Sequence, residues 1–98
     1  MTKRYEVLVR HQAQREVEEI YNYQHGIGPA RAERFYAAWQ ACLEQFRRNP
    51  SHAKRKGPYG HEMLYKLPFR VVFEVRDTKV IVYQVRHTSR KPSKRFGP

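Results

Sequence analysis

The chain has 98 residues, of which 40% are hydrophobic and 13% aromatic; that is enough for one folded core and too little for two. Twenty Lys and Arg against nine Asp and Glu give a formal charge of +11, well beyond the ~2–8 that solubility alone asks of a small domain. Such a field favours a polyanionic or acidic partner. The single cysteine, Cys42, excludes an internal disulfide and a Cys-based zinc site.

The opening residues run directly into an alternating pattern, Tyr5-Glu-Val-Leu-Val-Arg10, which predicts a short strand with Tyr5, Val7 and Val9 on one side. No signal peptide is visible and no apolar run approaches the ~20 residues of a membrane span, so the expected location is the cytoplasm, with no membrane partner. From Ala13 the period lengthens. Ala13, Val17, Ile20 and Tyr21 form one stripe of an amphipathic helix, and Arg15, Glu16, Glu18 and Glu19 are expected on its other face. The segment His25-Gly-Ile-Gly-Pro29 is expected to end it, with Pro29 opening a second helix. Phe35, Ala38, Trp39, Cys42, Leu43 and Phe46 make the buried stripe of that helix, and Asn49-Pro50 stops it. A connection this short predicts an antiparallel helical hairpin.

Ser51 to Gly60, including Lys54-Arg-Lys56, reads as a basic loop; the charge run is open to readings as a solvated loop or as a tracker of phosphates. Met63, Tyr65 and Leu67 alternate up to Pro68, predicting a strand. Phe69–Val75 and Val80–His87 predict two more. Their apolar faces match if Phe69, Val71, Phe73 and Val75 share a side with Ile81, Tyr83, Val85 and His87. That register needs an odd number of turn residues, such as Asp77-Thr78-Lys79. Arg70, Glu74, Arg76, Gln84 and Arg86 are then expected on the opposite face. The tail from Ser93 is polar and expected to be loose. The order β-α-α-β-β-β describes an α+β fold, a helical hairpin on one face of a mostly antiparallel four-stranded sheet, as a single domain over residues 1–98. The hairpin of the last two strands delivers Arg86, His87, Arg90 and Lys91 to one edge, a platform suited to a phosphate or an acidic partner.

Several segments, in order, resemble the RelE/ParE superfamily of bacterial type II toxin–antitoxin systems. They are the strand Tyr5-Glu-Val-Leu-Val; Ala13 with Glu18, Ile20 and Tyr21; Gly28 with Ala32, Phe35, Ala38, Leu43, Phe46 and Asn49-Pro50; Leu67-Pro-Phe-Arg-Val-Val-Phe-Glu-Val75; and Val82-Tyr-Gln-Val-Arg-His-Thr-Ser-Arg-Lys-Pro92. The resemblance implies a growth-inhibiting toxin neutralised by a cognate antitoxin that wraps it. It leaves two activities open on one fold. RelE-type members cleave mRNA on the ribosome; ParE-type members poison DNA gyrase.

For the nuclease, the resemblance implies catalytic cations at Arg70 and Arg90, with Lys66 a looser match to a basic pair on the second strand. His87 is available as acid or base near neutrality; its other reading is a cap on the strand end. Arg70 is likewise open to a structural reading, as a solvated or Glu74-paired side chain. RelE-type enzymes carry a catalytic tyrosine six positions after the second arginine, where this chain has Phe96. A phenyl ring has no hydroxyl to exchange a proton, so the pattern leans towards the ParE-type activity. Tyr21, Tyr23 and Tyr36 read as helix-packing residues. His11, His25, His52 and His61 show no metal-ligand spacing, and neither cofactor nor metal is implied.

Overall fold

The computed structural model describes residues 4–50 and 57–89. Lys54-Arg-Lys56, Arg90, Lys91, Phe96 and the rest of the tail lie outside them. The elements are β1 (Glu6–Val9), α1 (His11–Ile27), α2 (Pro29–Arg48), β2 (Tyr59–Met63), β3 (Phe69–Arg76) and β4 (Lys79–His87). The sheet order is β1-β4-β3-β2; β1 runs parallel to β4, and the other pairs are antiparallel. The α+β architecture and its element order are those expected. Among the described residues no helix is long and apolar enough to cross a membrane.

The first helix does not stop at His25. It continues through Gly26 to Ile27, leaving Gly28 alone between the helices, with its N–H on the Gln24 carbonyl. Pro29 occupies the first turn of α2, where its missing N–H costs no helical bond. Arg47 and Arg48 lie in the last turn, favourably placed at the negative end of the helix dipole.

The α2 stripe is buried as expected at Phe35, Trp39, Cys42, Leu43 and Phe46, with Ala32 added and Ala38 partly covered. It packs on the sheet through aromatic pairs: Phe35 on Phe69 with ring centroids 5.2 Å apart, and Phe46 on Phe73 at 4.5 Å. Glu16 departs from its expected place. It lies between Ala13 and Ile20 on the stripe itself, and its carboxylate accepts the backbone N–H of Val85 on β4 at 3.0 Å.

Two strand expectations are corrected. The second strand is Tyr59–Met63, beginning within the expected loop, and residues 64–68 turn instead of extending. The last hairpin closes through the two residues Asp77-Thr78, with Arg76 opposite Lys79. The odd residue sits within the ladder: Val72 pairs with Gln84 and Phe73 with Val82, so Tyr83 is a bulge. A bulge reverses the alternation downstream of it. Val80 and Val82, not Ile81 and Tyr83, therefore join Phe73 and Val75 against the helices, while Val85 and His87 keep their predicted side opposite Val71 and Phe69.

Candidate functional site

Successive strand residues point to opposite faces, and this separates the residues singled out in the sequence. Arg70 pairs with Arg86 on the face away from the helices, and Phe69 with His87 on the helix face. Lys66 is on no strand. It lies in the β2–β3 turn with φ 56°, and its ammonium sits 5.3 Å from the Tyr65 ring centroid. Arg90 is outside the described residues. Among those described, then, Lys66, Arg70 and His87 occupy a turn and two opposite faces, and do not converge.

The open face is a packed polar surface. Glu74 is only 6% exposed, yet it accepts Arg76 Nε at 2.9 Å and the Tyr83 hydroxyl at 2.6 Å. Burial, then the hydrogen bond to Glu74, raises the Tyr83 pKa above its ordinary value. The bond and charge of Glu74 likewise raise that of Arg76. Arg10 lies 5.7 Å from the Tyr83 ring centroid, and Tyr59 packs edge-on to it at 5.4 Å. The cluster ties the buried Glu74 carboxylate to Arg76 and Tyr83, which suits a structural role.

His87 belongs to a different environment. Its Nδ1 accepts the Ser89 backbone N–H at 3.1 Å and lies 2.7 Å from Ser89 Oγ. A backbone N–H can only donate, so the neutral ring carries its proton on Nε2. The ring stands edge-on to Phe69 at 5.4 Å, and the Thr88 N–H bonds the Pro68 carbonyl at 2.9 Å. The strand-end cap read from the sequence is thus present, and it fixes the ring at the edge of a basin.

That basin, about 380 Å³, lies between the hairpin tip and the start of β3. Phe35, Leu67, Pro68 and Phe69 supply its apolar wall, Arg31 and Arg34 its cations, and the His87 ring a further polar group. Arg31 is oriented by its Nε–H bond to Gln24 Oε1 at 2.9 Å. The two arginines were missed in the sequence; their signal was an i, i+3 cation pair just ahead of the stripe residue Phe35. A second groove of about 440 Å³ runs between the helices, beside Val17, Tyr21 and Tyr36, and carries Glu18 and Glu33. Tyr21 donates to Glu33 at 3.1 Å and meets Tyr36 edge-on at 6.0 Å. The hydrogen bond to Glu33 raises the Tyr21 pKa. Tyr21 therefore packs between the helices as expected, with Tyr36 edge-on to it but 44% exposed, and Tyr23 is more exposed still. Among the described residues no three His, Cys, Asp or Glu side chains gather as a metal site requires.

The comparisons with known proteins agree with this fold. Residues 7–92 match the family described as "ParE toxin of type II toxin-antitoxin system, parDE". No curated protein matches the chain by sequence. Among solved structures it is similar to a chain of a chromosomal ParDE toxin–antitoxin system from P. aeruginosa, with TM-score 0.75 and 14% identity over 89% of this chain and 99% of that one. With the family pattern running from Val7 to Pro92 over the expected fold, the chain belongs to the ParE toxin family of type II toxin–antitoxin systems.

Proposed function

We propose that this protein is the toxin of a two-protein module in the bacterial cytoplasm, that a cognate antitoxin neutralises it, and that it arrests growth by inhibiting DNA gyrase through protein–protein contact. The observation that carries the choice of target is the separation of Arg70 from His87 on opposite faces of the sheet. Metal-free RNA cleavage needs its acid, base and cations within reach of one phosphodiester. Lys66, in the turn against Tyr65, does not complete such a group. The family match and Phe96 in place of a catalytic tyrosine support the same reading.

A ribosome-dependent nuclease has one observation in its favour. Arg70 and Arg86 stand as a cross-strand pair on the open face, with His61 in the next row opposite Val72, and Arg90 follows β4 in the sequence. The two readings separate on brief induction in a bacterial host with pulse-labelled DNA and protein synthesis followed in parallel. Early arrest of DNA synthesis, with loss of gyrase supercoiling by the purified protein, is expected. Early arrest of translation, abolished by Arg70→Ala in a folded protein that still binds its antitoxin, would overturn the gyrase reading.

A further inference from the structure

The basin at the hairpin tip is lined by Arg31, Arg34 and His87, and among the described residues no carboxylate lines it. Its polar groups are set to donate. Arg31 and Arg34 have donors only, the Nδ1 acceptor of His87 is occupied by Ser89, and Gln24 Oε1 is taken by Arg31. The chain's overall excess of positive charge does not account for this, since the neighbouring groove on the same hairpin carries Glu18 and Glu33 and, among the described residues, no cation.

The basin is also half apolar. Phe35 and Phe69 lie at its back, and Tyr23 (69% exposed) and Ile27 (53% exposed) stand at its rim as large side chains without cover. Its volume of about 380 Å³ falls in the range of roughly 300–1,000 Å³ typical of ligand pockets. That is too large for a lone ion, and it suits an anion carried on an apolar body.

We propose that this basin is the anchor site for an acidic segment of the antitoxin, receiving a carboxylate side chain between Arg31, Arg34 and His87 while an adjacent apolar side chain covers Ile27 and Phe69. The inference rests on the toxin–antitoxin reading above. A nucleic-acid strand is the less suitable occupant: phosphates are tracked by open cationic stripes, whereas these cations share a concave wall with aliphatic and aromatic groups. An ordering peptide gains from both halves at once, charge-assisted bonds to the arginines and burial of exposed apolar area.

The test uses the full-length toxin and the product of the neighbouring gene, with affinity measured by calorimetry at low and high salt. The double variant Arg31→Glu/Arg34→Glu is expected to bind at least about tenfold more weakly, the scale of losing an arginine hot spot, with a shallower salt dependence and an unchanged thermal melt. Arg15→Glu/Arg48→Glu makes the same change of net charge at exposed positions outside the basin and is expected to bind as wild type. Ile27→Asp tests the apolar half at an exposed position and is expected to weaken binding as well. Wild-type affinity in the basin variants, or an equal loss in the control pair, would overturn the site while leaving the toxin–antitoxin reading intact. Failure of the unmodified toxin to bind the neighbouring product would overturn both. Loss of single-stranded oligonucleotide binding in Arg31→Glu/Arg34→Glu, with antitoxin affinity unchanged, would instead assign the basin to nucleic acid and overturn the proposal.

Discussion

Glu16 and Val85 are joined across the boundary between helix and sheet, the carboxylate of one accepting the backbone N–H of the other at 3.0 Å. The pairing of β1 with β4 ends at Val9 and Val82, so among the described residues the later part of β4 has no strand neighbour on that side. A buried backbone N–H without a partner is costly, and Glu16 supplies from α1 the acceptor that a longer β1 would have provided. It also covers an edge open to unwanted strand pairing.

Glu16→Ala is therefore expected to destabilise the fold by about 1–3 kcal/mol, the cost of leaving a buried donor unsatisfied. Glu16→Gln keeps an oxygen acceptor and should lose less. Urea denaturation of both variants, beside Glu19→Ala on the exposed side of α1, measures the difference. Equal losses at positions 16 and 19 would contradict the assignment.

Tyr83→Phe removes the 2.6 Å donor to Glu74 without changing the ring that packs on Tyr59. A loss of about 1–3 kcal/mol is expected, because a carboxylate that is 6% exposed is left with fewer donors. Arg76→Ala should cost less, since its side chain is largely exposed and surface ion pairs contribute little. Paired chemical denaturation curves decide the order.

The Cys42 thiol is pushed up to about 12, first by burial and then by the Glu62 charge. The thiolate is the reactive form, so a thiol reagent at pH 8 should label Cys42 slowly in the folded protein and rapidly in denaturant. The linkage runs the same way. The folded thiol holds its proton to higher pH than the unfolded one, so this stability is complete below the unfolded pKa of about 8.5 and is lost as pH rises towards about 12. Tyr83, also raised, adds loss in the same direction at alkaline pH. A melt series from pH 7 to pH 11 should fall, and fall less steeply in Cys42→Ala.

The neutral His87 ring should carry its proton on Nε2, because Nδ1 accepts from Ser89. Nitrogen-15 shifts of the imidazole at alkaline pH read the tautomer directly. An Nδ1–H signal would mean that the strand-end cap is not formed in solution.

The helices were legible because their signals are local and redundant. The six-residue stripe of α2 repeats over a helix bounded by Pro29 and by Asn49-Pro50. The sheet was less so. Tyr59–Met63 is an edge strand, and its Gly60, His61 and Glu62 carry no apolar alternation, whereas the turn residues Tyr65 and Leu67 happen to continue one. The need for an odd residue in the last hairpin was readable; its location at Tyr83 was not, because a bulge and a longer turn satisfy the same apolar count. The face of His87 followed from alternation with Phe69. The basin did not, since α1, α2, the β2–β3 turn and β4 meet there only in three dimensions.

The parallel pair β1–β4 sets the order in which this chain can be completed on the ribosome. Glu6 is matched to Lys79 and Val9 to Val82, so the first strand synthesised waits for the last before it has any neighbour in the sheet. The hairpin α1–α2 and the β3–β4 ladder can form from nearby residues, but pairing the first strand demands closure across almost the whole chain, the slow kind of contact in folding. A nascent chain that stops short of Lys79 has no place for Val7 and Val9 among Val80, Val82 and the helices. The sheet is thus completed only once the stretch from Lys79 to Val82 has been synthesised, whereas the helical hairpin can form well before it.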